Sequence, residues 1–273
     1  MAAALLLVPT APVPVRYRGV WRRTLLQTPE RSDIETTVLW LQTARWHADI
    51  RIPAQRPDFS GVTSLAACTP VQGAWLMRQQ GFAGTTEVTD SAQGDVCAWH
   101  RLVDFQPPAA GPDAGFMQFE PARLIETGVH GIYLEHWIAE PCSLPGQAVF
   151  QRMAPSGDAT QPVQLLLVSG DHVMHVRSRA AAWPQDAMAG MDFAAVAPGL
   201  QAGLLDFEIS FGHRTADGWR ITHSTLPWRE GITVALRMDL HAGDMATLDW
   251  DGSPASWRVL ELSAPQVTWH LQS

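Results

Sequence analysis

Short stretches in which apolar and polar residues alternate run through most of the chain, and they predict β-strands. In residues 131–137, Tyr133, Glu135 and Trp137 fall on one side and the residues between them on the other, which is the two-residue period of a strand. The segment 35–52 lacks Gly and Pro and is either one long strand or two joined by a tight bend. Strands are predicted over residues 15–27, 35–52, 85–90, 96–105, 115–120, 131–139, 147–153, 163–168, 172–179, 205–213, 219–224, 245–250, 257–262 and 267–271.

Two segments are predicted to form helices. One begins at Thr69 as N-cap, with Pro70 at its first position, and ends before Gly81, in keeping with capping preferences. The other spans 191–200 and is interrupted by Pro198. So many strands with so few helices exclude an alternating βαβ architecture. The predicted fold class is all-β, mainly antiparallel, built as one barrel or a pair of barrels, because closure removes exposed sheet edges.

The chain length is compatible with one large domain or two small ones. The chain has 273 residues, against about 150 for a typical domain. The segment 140–146 contains two prolines and a glycine near the midpoint, so we place a boundary there. The predicted domains are an N-terminal unit, residues 1–140, and a C-terminal unit, residues 141–273.

Composition and charge exclude several function classes. Hydrophobic residues make up 46% and charged residues 17%, which supports a packed core rather than disorder. The net charge is -8 and no Arg-rich run occurs, so a nucleic-acid partner is not expected. All 19 basic residues are arginine. Schiff-base chemistry, pyridoxal attachment and a lysine-assisted phosphate loop each need an amine and are excluded, and no cofactor is expected.

Cysteine usage predicts a cytoplasmic protein. Cys68, Cys97 and Cys142 are odd in number and far apart, which fits neither a disulfide framework nor a cysteine-rich zinc site. Residues 1–8 form an apolar run without a positive region, so a secretory signal stays an alternative. No apolar run approaches 18 residues, the minimum of a membrane span, and no membrane partner is expected.

A metal site is not expected either. The segment 171–175 holds an aspartate and two histidines, but His172 and His175 project to opposite faces of a strand and cannot easily share one ion.

Three strings in the sequence resemble a known family. They are YRGVW at 17–21, IETGVHGIYLEHW at 125–137 and DFEISFG at 206–212. They resemble a lipocalin-like tandem-barrel family that includes a fungal Hri-type protein and bacterial relatives without an assigned activity. The resemblance is diffuse and spans about residues 15–262. It implies two lipocalin-like β-barrels, one in each half, with one or two short helices, and it supplies no catalytic motif and no partner.

The leading functional hypothesis is a small-molecule pocket inside the N-terminal barrel. Alternate residues of each strand point inward in a small barrel, and aromatic side chains with a few polar groups suit a ligand site. We expect an apolar or aromatic ligand, and we predict its contacts as Trp40, Trp99, Tyr133 and Trp137, with Gln42, Arg101 and Glu135 at its polar end.

Two alternatives stay open. The first is a cofactor-independent lyase or isomerase in which Glu135 or His130 moves a proton, Arg101 steadies negative charge and Glu126 orients His130. An inward Glu135 would be desolvated and would favour its protonated form. It could equally form a buried ion pair with Arg101 that fixes the barrel register. The second alternative is a scaffold that acts through its outer surface.

One polar stripe is assigned to the outside of the barrel. Arg45, His47, Asp49 and Arg51 share one face of their strand, and we interpret them as a solvated outer stripe with cross-strand ion pairs. A place for Arg51 at the barrel mouth is the alternative. The sequence does not indicate the oligomeric state.

Overall fold

The computed structural model describes residues 9, 11–107, 111–144, 146–153, 162–184, 196, 198–241, 243–250 and 252–263. Every pair of adjacent strands in this part of the chain is antiparallel, and the strands form two sheets. The predicted all-β class is therefore confirmed. The expected N-terminal apolar run and the predicted strand 267–271 lie outside the described residues.

The first sheet closes into a barrel. Its strands are β1 (Gly19–Gln27), β2 (Ser32–Asp33), β3 (Thr37–Gln42), β4 (Trp46–Ile52), β5 (Gln80–Ser91), β6 (Gly94–Asp104), β7 (Asp113–Glu120), β8 (Arg123–Gly128) and β9 (Leu134–Ala139). Neighbours in sequence pair along the sheet, β2 adds only to the end of β1, and β1 also pairs with β9. The last pairing closes an eight-stranded barrel. The segment 35–52 forms two strands joined by a tight bend.

The second sheet curls without closing. Its strands are β10 (Gln147–Arg152), β11 (Gln164–Ser169), β12 (His172–Arg177), β13 (Glu208–Thr215), β14 (Gly218–Ser224), β15 (Thr233–Val234), β16 (Arg237–Leu240), β17 (Met245–Asp249) and β18 (Ala255–Leu262). The order is β15-β14-β13-β12-β11-β10-β18-β17-β16. Within the described ranges β15 and β16 do not pair, so this sheet is a half-barrel.

The helices are few and short. Helix α1 (Pro70–Leu76) has the predicted start: Thr69 and Gln72 form a reciprocal capping box. It ends at Leu76, earlier than predicted, and Gln80, which the prediction placed at its end, belongs to β5. Helix α2 (Pro198–Leu205) contains the last three residues of the predicted helix 191–200, with Pro198 at its first position, where proline is suited. Residues 191–195 and 197 of that prediction lie outside the described residues. Short 3-10 turns occur at Val15–Tyr17, Leu65–Ala67 and Pro227–Arg229. No described helix is long and apolar enough to cross a bilayer.

The two sheets share one hydrophobic core. Outward residues of the barrel, such as Leu41 and Ile50, pack with Leu167, Met174 and other residues of the second sheet. Strands β3 and β4 are therefore buried on both faces. The division at residue 140 remains a prediction about folding units, because this core crosses it.

Polar contacts also join the sheets. The Glu261 carboxylate accepts hydrogen bonds from the backbone N–H groups of Ala44, at 2.7 Å, and Arg45, at 3.1 Å. Arg56 donates to both carboxylate oxygens of Glu230 at 2.9 and 2.8 Å. Glu261 thus satisfies two backbone N–H groups of the turn between β3 and β4. Both sets of contacts hold the second sheet against one side of the barrel.

Candidate functional site in the barrel mouth

One end of the barrel interior is filled by tryptophans. The Trp40 ring lies edge-on to Trp99 and Trp137, with ring centroids 5.7 and 5.8 Å apart, a favourable aromatic geometry. The turn Val15–Tyr17 covers this end, and the Trp21 indole donates to the backbone oxygen of Tyr17 at 2.8 Å. A space of about 20 Å³ remains beside the rings, which is large enough for a single water molecule.

The opposite end holds a cavity of about 700 Å³, which we call the mouth cavity. Its wall combines arginines and acidic residues with Tyr133 and a few apolar groups. The charged residues are Arg23, Arg31, Arg51, Arg78, Arg101, Asp33, Asp104, Asp113, Glu126 and Glu135. Three predicted site residues, Arg101, Tyr133 and Glu135, line it. The predicted aromatic contacts Trp40, Trp99 and Trp137 also face the barrel interior, but they lie beneath the cavity.

Glu135 is held by Arg23. Arg23 Nη1 donates to Glu135 Oε1 at 2.7 Å, and Nη2 donates to Asp33 Oδ2 at 3.1 Å. The side chains of Arg23 and Glu135 are only 4% and 5% exposed. The alternative prediction of an ion pair between Glu135 and Arg101 is wrong. The β1–β9 pairing that closes the barrel brings Arg23 to Glu135 instead.

Arg101 is fixed by other partners. Its Nη1 and Nη2 atoms donate to Asp104 at 2.5 Å and Asp113 at 2.6 Å, and its guanidinium stacks 3.7 Å from the Phe82 ring centroid. A register shift between Ala83 and Gly84 interrupts the β5–β6 ladder beside it, and a Cβ on Gly84 would collide with the His100 carbonyl oxygen.

The register shift changes which way the end of β6 faces. Strict alternation along the predicted strand 96–105 places Val103 and Phe105 on the same face as Arg101, but both pack into the core shared with the second sheet. That part of the predicted alternation is wrong, because a bulge adds a residue to one strand and reverses the faces beyond it.

Glu126 is a second buried carboxyl of the site, beside Glu135. It lies directly opposite Glu135 in the β8–β9 register and is 4% exposed. The Tyr133 hydroxyl donates to Oε1 at 2.8 Å and the Trp137 indole to Oε2 at 3.1 Å. Burial, and then the charge of Glu135, raise the pKa of Glu126 well above its usual range. The desolvated carboxyl with a raised pKa that the sequence assigned to Glu135 is therefore found at Glu126.

Two glycines make room for this carboxyl and its partner. A Cβ on Gly115 would meet Glu126 Cγ at 2.7 Å, and a Cβ on Gly128 would meet Tyr133 Cδ1 at 2.7 Å. Both glycines stand next to each other in the β7–β8 register. From the sequence, Glu126 has only an orienting role. The two glycines are the feature of the sequence that could have indicated a side chain packed closely against the backbone of β7 and β8.

The polar stripe of β4 lies inside the barrel. His47 and Asp49 are 0% and 2% exposed, and Arg51 Nε donates to Asp49 Oδ1 at 2.8 Å. The interpretation as a solvated outer stripe is wrong, because the other face of β4 packs against the second sheet. Arg51 reaches the mouth cavity, as the alternative proposed, and burial, then the charge of Arg101, lower the pKa of His47 to about 3.

Gln42 and His130 do not reach the mouth cavity. Gln42 is fully buried at the closed end, where its Oε1 accepts hydrogen bonds from Trp40 Nε1 at 3.2 Å and Thr86 Oγ1 at 2.7 Å. His130 is exposed in the loop between β8 and β9 and is absent from the cavity wall. Neither residue is placed to contact a ligand there.

His172 and His175 lie on opposite faces of β12, as predicted. His172 Nε2 lies 2.8 Å from the Pro141 carbonyl oxygen, and His175 Nδ1 lies 3.3 Å from Glu208. No group of three or more His, Cys, Asp or Glu residues in the described chain is arranged to hold a metal ion.

Comparison with known proteins supports the fold only. No protein-family model and no curated protein matches the chain. Among solved structures the chain is similar to an uncharacterized protein from Saccharomyces cerevisiae, with a TM-score of 0.56 and 12% sequence identity over 90% of this chain and 99% of that one. That likeness extends to a barrel-rich architecture with two barrel-like sheets. Membership of the Hri-type family remains an expectation from the sequence.

Proposed function

We propose that the barrel binds a small polar organic molecule in the mouth cavity. The observation that carries this proposal is an open cavity of about 700 Å³ whose wall is charged. Ligand pockets usually measure about 300–1,000 Å³. The barrel fold is compatible with ligand binding.

The wall favours a polar ligand over the apolar or aromatic one expected from the sequence. That expectation relied on Trp40, Trp99 and Trp137, whose rings pack on each other. An apolar molecule in the mouth cavity would take solvent away from charged groups and give them no hydrogen bonds in return. A ligand with hydroxyl, carbonyl or carboxylate groups replaces the lost water.

The charged groups are preorganised. Arg23 and Arg101 each hold two carboxylates, and Phe82 supports the Arg101 guanidinium. Fixed donors and acceptors lose little conformational entropy when a ligand arrives.

Native mass spectrometry of the purified protein, followed by a thermal-shift screen of polar metabolites, tests the proposal. Gln80 lines the mouth cavity, so Gln80→Trp should obstruct it and weaken binding at least about tenfold. Gln118 is exposed on the outer face of β7, and Gln118→Trp is the matched control that should leave affinity unchanged. Equal affinity in both variants, or the absence of any ligand, contradicts the proposal.

A cofactor-independent lyase or isomerase is the second candidate. One observation favours it: Glu126, whose pKa burial raises, stands opposite Glu135, which Arg23 keeps in an ion pair. Paired carboxyls in different protonation states can divide acid and base roles. With the co-purified compound as substrate, Glu126→Gln should lower kcat by about 100-fold or more if Glu126 is a general acid. A binding protein should show no turnover and keep its affinity.

The cytoplasmic location stays a proposal as well. All three cysteines are free thiols, which is typical of reducing compartments. The outer-surface scaffold gains no specific support from the described residues.

A further inference from the structure

We propose that the ligand is a small organic acid and that Arg51 binds its carboxylate. This inference rests on the proposed function, because it names the chemical class of the molecule in the mouth cavity. It adds a specific anchoring residue that the sequence assigned to the outer surface.

One edge of the Arg51 guanidinium is bonded to Asp49, and the other edge faces the cavity. Its Nε donates to Asp49 Oδ1 at 2.8 Å and its Nη2 makes a longer contact of 3.5 Å with Oδ2. Asp49 is almost completely buried, with a side chain 3% exposed, whereas that of Arg51 is 23% exposed. Among the described residues Nη1 has no hydrogen-bond partner. A buried carboxylate thus fixes the guanidinium and leaves its outer edge available to a ligand.

The position of Arg51 makes it the cation at the floor of the cavity. It lines both the mouth cavity and the small space beside the tryptophans. The neighbouring guanidinium groups of Arg23 and Arg101 already carry two carboxylates each. A ligand anion that enters the barrel therefore meets the free edge of Arg51.

The rim favours the approach of an anion. Arg31 and Arg78 are exposed and line the mouth cavity, and neither side chain has an ion-pair partner in the described part of the chain. Cationic groups at an entrance raise the local concentration of anions.

The surroundings favour a carboxylate over a phosphate. The wall holds five carboxyl groups as well as five arginines, so the second charge of a phosphate adds repulsion as well as attraction. That second charge also costs more to desolvate than the single charge of a carboxylate. A carboxylate also matches the planar edge of a guanidinium. The Tyr133 hydroxyl provides a hydrogen-bonding group without negative charge, and the raised pKa of Glu126 favours its neutral form.

Isothermal titration calorimetry on the full chain tests this inference. The probes are benzoate and lactate, each compared with its amide, and inorganic phosphate. At least one acid should bind about tenfold or more tightly than its amide. Arg51→Lys keeps a positive charge beside buried Asp49 but lacks the planar fork, and it should weaken that acid by about tenfold. Arg22 forms an ion pair with Glu140 at the surface, away from the cavity. Arg22→Lys is the control and should leave the affinity for the acid unchanged.

The outcomes separate the inference from the proposed function. If amides bind as well as acids, if phosphate binds more tightly than every acid, or if Arg51→Lys has no effect, the carboxylate assignment is overturned and the binding site stands. The same holds if only a neutral ligand co-purifies. If no probe binds and nothing co-purifies, both are overturned.

Discussion

The hydroxyl of Tyr133, in the loop between β8 and β9, donates a hydrogen bond to Oε1 of Glu126 on β8 at 2.8 Å. Trp137 satisfies the other carboxyl oxygen. These contacts allow a carboxyl group that is almost fully buried to stay hydrogen-bonded on both oxygens. They also bring the acidic site and the aromatic floor of the barrel into direct contact.

Removing this hydroxyl should destabilise the protein measurably. Tyr133→Phe leaves Oε1 of Glu126 without its protein donor, and a buried group that loses its partner costs about 1–3 kcal/mol. Urea unfolding at pH 7 measures the change. The other tyrosine is the control: Tyr17 donates to Asp95, which Arg16 also holds, so Tyr17→Phe should cost less. A larger effect at Tyr17 would contradict the importance of the Glu126 contact.

Glu126 should make stability depend on pH. Its pKa in the folded protein is raised above the usual 4.5, so the folded state binds this proton more tightly than the unfolded chain. The associated stability is fully present below about pH 4.5 and is lost as pH rises through the folded pKa. Glu126→Gln should remove this slope in unfolding experiments from pH 4.5 to 9. Parallel curves for the variant and the original protein would refute the assignment.

His47 should act in the opposite direction. Its pKa is lowered from 6.5 to about 3 in the folded protein, so the unfolded chain takes up the proton first. Stability should fall as pH drops below 6.5, by up to about 1.4 kcal/mol for each pH unit while the folded state stays neutral. His47→Gln should flatten this acid-side slope. NMR titration of the imidazole checks the cause, and a signal that titrates near pH 6.5 would disprove it.

Replacing two neighbouring arginines of β1 should lower the free energy of unfolding by very different amounts. Arg23→Met leaves Glu135, and in part Asp33, without a cation inside the barrel, which should cost about 3–5 kcal/mol. Arg22 pairs with Glu140 at the surface, with side chains 46% and 22% exposed, so Arg22→Met should cost about 0–1 kcal/mol. Chemical denaturation of the two variants measures the difference. Equal losses would mean that the inner ion pair has no special weight.

The sequence predicted those parts of the barrel whose two faces differ in polarity. Within β9 the residues alternate as expected, with Glu135 and Trp137 buried and Leu134 and His136 only partly buried, whereas the predicted strand residues 131–133 lie in the preceding loop. The inward placement of Trp99 was predicted from the same period. Both strands have solvent on one face, so the simple alternation of apolar and polar residues is informative.

The same logic failed for β4, where both faces are buried. Ala48 and Ile50 pack into the shared core, and Asp49 and Arg51 form an ion pair inside the barrel. A polar stripe opposite an apolar one normally indicates solvent. The sequence carried no sign that the second sheet covers the apolar side, and this one long-range contact decides which stripe is internal. The partner of Glu135 was missed for a related reason, because only barrel closure brings Arg23 beside it.

The shared core also bears on how a molecule enters the barrel. Strands β3 and β4 are clamped between the barrel interior and the second sheet, so that side of the mouth is stiff. Strands β8 and β9 have outer residues that are only partly buried, and the core joining the two sheets contains none of their residues. Breathing of the mouth should therefore be concentrated in β8 and β9, the two strands that contribute Glu126 and Glu135. Strand β4 would then hold Arg51 in place while β8 and β9 move to admit the ligand.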